Sequence, residues 1–361
     1  MFNHSKLLMP ILCATMFFVG ASCKKDPPIV PPLPPDPLLD STSHNFIWQK
    51  FTFGGDAGSC VLNDVAIIND TLAYAVGAIY SKDSAGNFDP QPYNLAVWNG
   101  KEWKLQKVPY YFQGQPFFHP IQSVFARGAN DIWFCGNGII HSNGVQYTEM
   151  PVPSSAWGQS RMNKMWGVGN DLYVVGNGGS IALFNGSSWQ KLNSGTTLDI
   201  QDIYGAYNAK SSQWEILAVC TQNLPLNRAV YSIKGNSVTQ LSADPIQYEL
   251  FGVWFMPGKH YYVVGDGIYE KNSLLESSWK NGPLDITKYA TTKIRGNDLN
   301  DLFVVGAFGE VLHYNYSTWY SYRKTATGLS NGSYASVAVK NNLVIAVGED
   351  SPSAIIAIGR R

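Results

Sequence analysis

Apolar residues come along this chain in short runs, each closed by a small residue and followed by a polar turn. The clearest stretch is Asn170 to Leu192. It reads Asn-Asp-Leu-Tyr-Val-Val-Gly, then Asn-Gly-Gly-Ser-Ile-Ala-Leu-Phe, then Asn-Gly-Ser-Ser-Trp-Gln-Lys-Leu. One run ends at Gly176, a second at Asn185-Gly186, and a third segment begins at Trp189. The pattern predicts three strands joined by two tight turns. Asn-Gly favours the hairpin turn in which both central residues take positive φ.

The same phrase recurs. Asn130-Asp131 leads a run ending at Gly136, and Asn300-Asp301 leads one ending at Gly306. Weaker copies end at Gly77, Gly265 and Gly348, and Ile216–Cys220 fits with Cys220 in the glycine slot. The anchors 77, 136, 176, 220, 265, 306 and 348 are spaced by 59, 40, 44, 45, 41 and 42 residues. A period of about 40–45 residues with several short strands per unit is the signature of a propeller blade. The expectation is an all-β, seven-bladed β-propeller, with the first strand of each blade nearest the axis.

The last blade offers only three strands, 334–339, 343–347 and 354–358, before the chain stops. The segment Phe46-Ile-Trp48-Gln49-Lys50-Phe51 matches the outer-strand phrase Trp189-Gln190-Lys191-Leu192. An open ring would leave an unpaired strand edge. The N-terminal strand is therefore expected to close the last blade.

The spacing of 59 marks two insertions, Ala78 to Pro92 within blade 1 and Gln106 to Pro120 between blades 1 and 2. In an antiparallel blade both fall on the same face. Long loops in a compact repeat tend to carry function. The second insertion holds Tyr110, Tyr111, Phe112, Phe117, Phe118 and His119; the first holds Tyr80 and Phe88. Exposed, these rings would make an apolar patch for a protein partner or for sugar rings. Folded back, they would cap the groove between blades 1 and 2. A second candidate site is the axial funnel, where Arg127, Trp166, Tyr204, Trp254 and Arg295 fall in or next to first strands. The alternative for its aromatic members is packing between blades.

Composition narrows the function. Charged residues are 14% and aromatics 13%, a profile of strands and turns. Without Lys6 of the leader, 25 basic residues face 26 acidic ones. No basic field exists for a phosphate backbone, so a nucleic-acid partner is not expected. His141 and His313 occupy one repeat position in non-adjacent blades, and His119 and His260 have no ligand-like spacing, so no metal is expected. Cys135 and Cys220 read as small apolar strand residues, and no pairing pattern links them to Cys60. The recurring Asp of the Asn-Asp copies reads as a turn residue bonding nearby backbone. No motif for a cofactor or catalytic centre occurs.

The N-terminus carries an address. Residues 1–22 read as a signal peptide: Lys6, an apolar stretch from Leu7 to Gly20, then Ala21-Ser22 before Cys23. The apolar stretch is too short to span a bilayer. Residues 23–45 form a tether with seven prolines between positions 27 and 38, a composition that favours extended polyproline II. The propeller is assigned to 46–361, as a monomer.

A Cys at the cleavage point resembles a bacterial lipoprotein signal, which implies lipidation of Cys23 and membrane attachment through that lipid. Lys24, where that family places Asp for inner-membrane retention, implies the outer membrane. The phrase Val-Gly…Gly-x-Ile…Asn-Gly-x-x-Trp at 175–189 resembles BNR/Asp-box-like and photosystem-assembly-factor-like propeller repeats, and uncharacterised envelope lipoproteins that carry them. Asn99, Asn185 and Asn315 stand where the Asp-box has Asp. Some of the wider group are sialidases, but no family motif surrounds Arg127, Arg228 or Arg295. The expected function is non-catalytic binding of a protein or glycan partner at the cell envelope. The alternative is a polysaccharide hydrolase or lyase with an axial active site.

Overall fold

The computed structural model describes residues 40–361 apart from Leu224 and residues 283–285. The expectations about the signal peptide, Cys23 and most of the Pro-rich tether lie outside the described residues. Asp40–Arg361 forms one compact unit. It is built from seven four-stranded antiparallel sheets and one small hairpin. The first strands of the seven sheets are Val61–Asn69, Ser123–Gly128, Met162–Val168, Asp199–Asn208, Leu250–Met256, Thr291–Asp298 and Ser333–Lys340. Each packs on the first strand of the next sheet, and the seventh returns to the first. This is the expected seven-bladed β-propeller.

The second strands explain the repeated glycine. A Cβ at Gly77 would stand 2.1 Å from the Val61 carbonyl oxygen, and one at Gly265 would stand 1.8 Å from the Glu249 carbonyl oxygen. The backbone entering the inner strand runs across the end of the second strand, and at these two positions no side chain fits between. Blade 4 takes Cys220 here, opposite Ile200.

The ring closes as the sequence implies. Ile47–Phe53 pairs antiparallel with Ser353–Arg360, from Ile47 opposite Arg360 to Phe53 opposite Ala354. Period-2 alternation gives this strand two apolar faces. Phe51 and Phe53 pack into the core between blades 7 and 1, while Phe46 and Trp48 pack into that between blades 6 and 7. Gly359 makes room for the Trp48 indole, which would stand 2.9 Å from a Cβ there. The preceding residues also dock. Asn300 Nδ2 donates to the Asp40 carbonyl at 2.8 Å, and Asn315 Nδ2 donates to that of Thr42 at 2.9 Å.

The cores lie between blades and are almost wholly apolar, with Ile, Val, Leu and Ala at close to zero exposure. Each Ile, Val or Leu side chain contributes about 1.5–3 kcal/mol by leaving water, and each Ala less. Cys60, Cys135 and Cys220 are buried free thiols, in keeping with the apolar reading of Cys135 and Cys220.

Two turn expectations are corrected. At Asn185-Gly186 only Gly186 has positive φ, at 90°. Phe184 pairs with Trp189, so the connection spans four residues rather than two. Asn185 Oδ1 accepts the N–H groups of Ser187 and Ser188, and Asn99, Asn143 and Asn315 repeat this arrangement. The two-residue turn with both φ positive occurs instead at Gln113 (51°) and Gly114 (78°).

The Asp of the Asn-Asp copies is also reassigned. Asp131 accepts bonds from the Arg127 and Trp133 side chains and contacts His141, and Asp301 contacts His313 and accepts from Asn297. These are side-chain clamps across strands rather than backbone turns.

Candidate functional site

The axis is lined by one register position per blade. Asp64, Ser123, Lys164, Asp202, Gly252, Lys293 and Ser336 each pair with the residue just before the second-strand glycine slot. All six polar members are buried. Lys164 Nζ donates to both Asp64 carboxylate oxygens at 2.6 Å. The Ser123 hydroxyl and the Val124 N–H donate to Asp64 Oδ2 at 2.7 and 3.0 Å, and the Ser336 hydroxyl donates to Oδ1 at 2.8 Å. One carboxylate therefore joins blades 7, 1, 2 and 3.

Asp202 does the same for blades 4, 5 and 6. Arg295 donates through Nη1 and Nη2 to its two oxygens at 2.9 and 2.8 Å, the paired geometry that makes such bonds strong. The Val253 N–H donates at 3.0 Å, and Lys293 Nζ stands 3.2 Å from Oδ1.

Burial alone would raise both carboxyls. The Lys164 ammonium overcomes this at Asp64, with help from Ser123 and Lys293. Arg295 and Lys293 overcome it at Asp202, and both groups stay well below the usual carboxylate range. Lys293 moves the other way. Burial pushes it down to about 8; Asp202 opposes the shift, and Lys164 and Arg295 add to it.

Directly downstream of this ring lies a cavity of about 190 Å³. Lys164, Tyr204, Trp254 and Arg295 line it together with Val65, Gly296 and residues 337–339. The Arg295 guanidinium lies over the Tyr204 ring, 5.5 Å from its centroid. Trp254 is 2% exposed, and its buried Nε1 has no hydrogen-bond partner. A larger, shallow depression of about 550 Å³ lies along the outer edge of blade 4, around Asn227, Gln240 and Asp244. It shares no residue with the axial cavity.

Of the five axial residues expected from sequence, Tyr204, Trp254 and Arg295 meet at this cavity. Arg127 and Trp166 do not line it. Arg127 pairs with Asp131 at 3.0 Å and donates to the Asp171 carbonyl, bracing blade 2 on blade 3. Trp166 packs on Gly205 of blade 4, where a Cβ would stand 2.4 Å from its ring, and meets Trp214. The charged ring itself was missed. Its trace in the sequence is a polar residue 12 or 13 positions before the glycine slot, as at Asp64, Ser123, Lys164, Lys293 and Ser336.

The second candidate lies at the other end of the inner strands. The 106–120 insertion is an ordered hairpin, with Tyr110–Phe112 paired to Gln115–Phe117. Tyr111, Phe112 and Phe117 are 51%, 65% and 42% exposed, and Phe88 of the neighbouring insertion is 55% exposed. Lys107 ties the two insertions together. Its Nζ bonds Asp89 at 2.7 Å and lies over the Tyr93 and Phe118 rings. Tyr80 packs behind Phe88, with ring centroids 5.7 Å apart, and His119 stacks on Phe117 at 6.2 Å. Tyr110 departs from the exposed reading. It is 5% exposed and buried against Gly136 and Gly138 of blade 2, and its hydroxyl has no partner. The hairpin has a buried foot and an apolar tip.

Among the described residues, no group of three His, Cys, Asp or Glu side chains converges as a metal set.

The architecture defines the class: a seven-bladed β-propeller with a polar axial ring. No protein-family model matches the chain, and no curated protein sequence does. Solved structures do match. A structure described as YCF48 bound to D1 peptide is 14% identical, with a TM-score of 0.64, over 89% of this chain and 99% of that one. YCF48 from Cyanidioschyzon merolae is 11% identical, with a TM-score of 0.62, over 87% and 98%. A catalytically inactive virginiamycin B lyase from Staphylococcus aureus, with quinupristin, is 11% identical, with a TM-score of 0.62, over 86% and 99%. At such identities the likeness concerns the fold.

Proposed function

We propose that this chain is a non-catalytic binding propeller, lipid-anchored through Cys23 at a bacterial outer membrane, that holds a protein partner on the 110–117 hairpin. The observation that carries the reading is the cluster of Tyr111, Phe112, Phe117 and Phe88 on one face, exposed although the blade cores bury nearly all their large apolar groups. Phe112 and Phe117 meet edge to face, at 68°. Their tilted rings suit interdigitation with apolar side chains better than a flat sugar platform. The structure with a D1 peptide is a further example of this fold holding a protein segment.

The hydrolase form of the axial hydrolase-or-lyase alternative needs a carboxylic acid kept protonated near neutral pH. Asp64 and Asp202 are both held ionised by cations, the opposite arrangement.

The test is photo-crosslinking in intact cells from positions 112 and 117, with position 226 on blade 4 as a control. Crosslinks to a defined protein from the hairpin positions only are the expected result. Crosslinks that are absent, confined to carbohydrate, or equal at position 226 would overturn the reading. The anchor is tested separately: Cys23→Ser should abolish incorporation of labelled fatty acid and release the protein from membranes.

A further inference from the structure

The axial ring does not balance its own charge. Lys164, Lys293 and Arg295 bring three positive charges; Asp64 and Asp202 bring two negative ones. The charged groups that act on Asp64, Asp202 and Lys293 all belong to this set, and Arg295 feels Tyr204 besides. One positive charge is left over in a site where screening by water is weak.

The cavity next to the ring, lined by two of its three cations, holds an unmatched donor. The Trp254 indole N–H is buried and unpartnered. Burial raises the Tyr204 phenol, opposed by Arg295 and by the nearby indole N–H, although indole and hydroxyl are not in hydrogen-bond geometry. The Tyr204 hydroxyl makes no hydrogen bond with a described residue. An unmatched buried donor destabilises a fold unless something fills the gap. Val65 and residues 337–339 supply apolar side chains to the cavity lining. Lys164 and Arg295 line the same cavity as Trp254 and Tyr204.

We propose that this cavity binds a single carboxylate group carried on a short apolar stem. One negative charge neutralises the ring's excess, whereas a phosphate dianion would overshoot it. The two carboxylate oxygens accept from Trp254 Nε1 and the Tyr204 hydroxyl, and the stem lies against the valines. The cavity volume of about 190 Å³ admits a ligand of a few heavy atoms beyond the carboxylate. This site is separate from the hairpin, at the opposite end of the inner strands.

The test is calorimetric titration of the intact propeller with butyrate, butyramide and inorganic phosphate at one ionic strength. Saturable binding of butyrate, with no binding of butyramide and weaker binding of phosphate, is expected. Trp254→Phe and Tyr204→Phe should each weaken butyrate roughly tenfold, since each removes one bond to a charged group. Both keep the ring, and thermal melts check that both remain folded. A dipeptide with a free C-terminal carboxylate, set against its amide, tells whether a chain end or a free acid is the better source; either supports a carboxylate site. Absence of saturable butyrate binding, equal binding of butyramide or phosphate, or undiminished binding in both folded variants would overturn the proposal. Phe112→Ser with Phe117→Ser should leave butyrate binding unchanged, which separates this test from that of the hairpin.

Discussion

The axis and the hairpin carry opposite kinds of unfinished surface. At the axis, charges are buried and each is held by a partner from another blade. Asp64 bonds groups on blades 2, 3 and 7, and Asp202 bonds groups on blades 5 and 6. At the hairpin, apolar rings are exposed and bonded only within their own insertion. Damage at the axis should therefore reach the whole ring, whereas damage at the hairpin tip should reach only what binds there.

The largest expected effect is at Asp64. Asp64→Ala strands the Lys164 ammonium in a site with 11% side-chain exposure and leaves both serine hydroxyls without their acceptor. Breaking a buried pair from one side costs about 3–5 kcal/mol. Urea unfolding should show that loss, and a double variant with Lys164→Met should recover part of it. A loss below about 1 kcal/mol, the range of a surface pair, would make the axis no more structural than the rim.

Next is the pH dependence of Lys293. Its folded value is about 8, against 10.5 in an open chain. Between those two values the unfolded chain binds more protons than the folded one, so this group makes stability rise with pH. The full shift corresponds to roughly 3 kcal/mol, and only the part below the tyrosine range near pH 10 is readable. Stability measured from about pH 7.5 to 9.5 should climb in the natural protein and lie flatter in Lys293→Met. An identical slope in both would place the excess charge elsewhere. Asp202, held ionised, adds a limb of the same sign at acid pH. Its contribution is complete above the open-chain carboxyl value and is lost as the pH falls toward its lower folded value.

How far each region was legible follows from the range of its contacts. The closing strand was readable because its cue is local: Phe46 to Phe51 repeats the phrase at Trp189, and the C-terminal blade lacks one strand. The hairpin's place was readable from the stretched spacing between Gly77 and Gly136. Its form was not, because Gln113 takes the positive φ that the Asn-Gly pairs were expected to take. The axial ring was least readable. Asp64 and Lys164 are one hundred residues apart and meet only once the ring closes. For the same reason the sequence, which made Arg127 a funnel candidate, did not reveal that it braces two blades. The Asp131 and Asp301 clamps were read as turns because their histidine partners sit on a different strand.

A smaller effect is expected at the foot of the hairpin, where the two regions come closest in character. Tyr110 is buried like an axial residue, yet its hydroxyl has no partner. Burial pushes its ionisation far above the usual phenol range, with Cys135 and Glu149 adding to the shift. Tyr110→Phe removes the unmatched group and keeps the ring against Gly136 and Gly138. Stability should hold or rise by about 1 kcal/mol in a thermal melt. A clear loss would mean that the hydroxyl is matched in solution, and the contrast between foot and axis would fade.

The smallest effect on stability belongs to the hairpin tip, and it is the sharpest test of the comparison. Phe112 and Phe117 touch each other and Phe117 stacks on His119, but neither ring belongs to an apolar core between blades. Replacing both by Ser exchanges exposed apolar surface for polar surface and empties no cavity. The melting curve should stay within about 0.5 kcal/mol of the natural protein, as surface changes away from caps and networks do. Loss of the crosslinked partner at unchanged stability would separate binding from folding at this tip. A drop in stability as large as that for Asp64→Ala would mean that the rings hold the blade 1–2 junction together, and the rim would then be structural in the same sense as the axis.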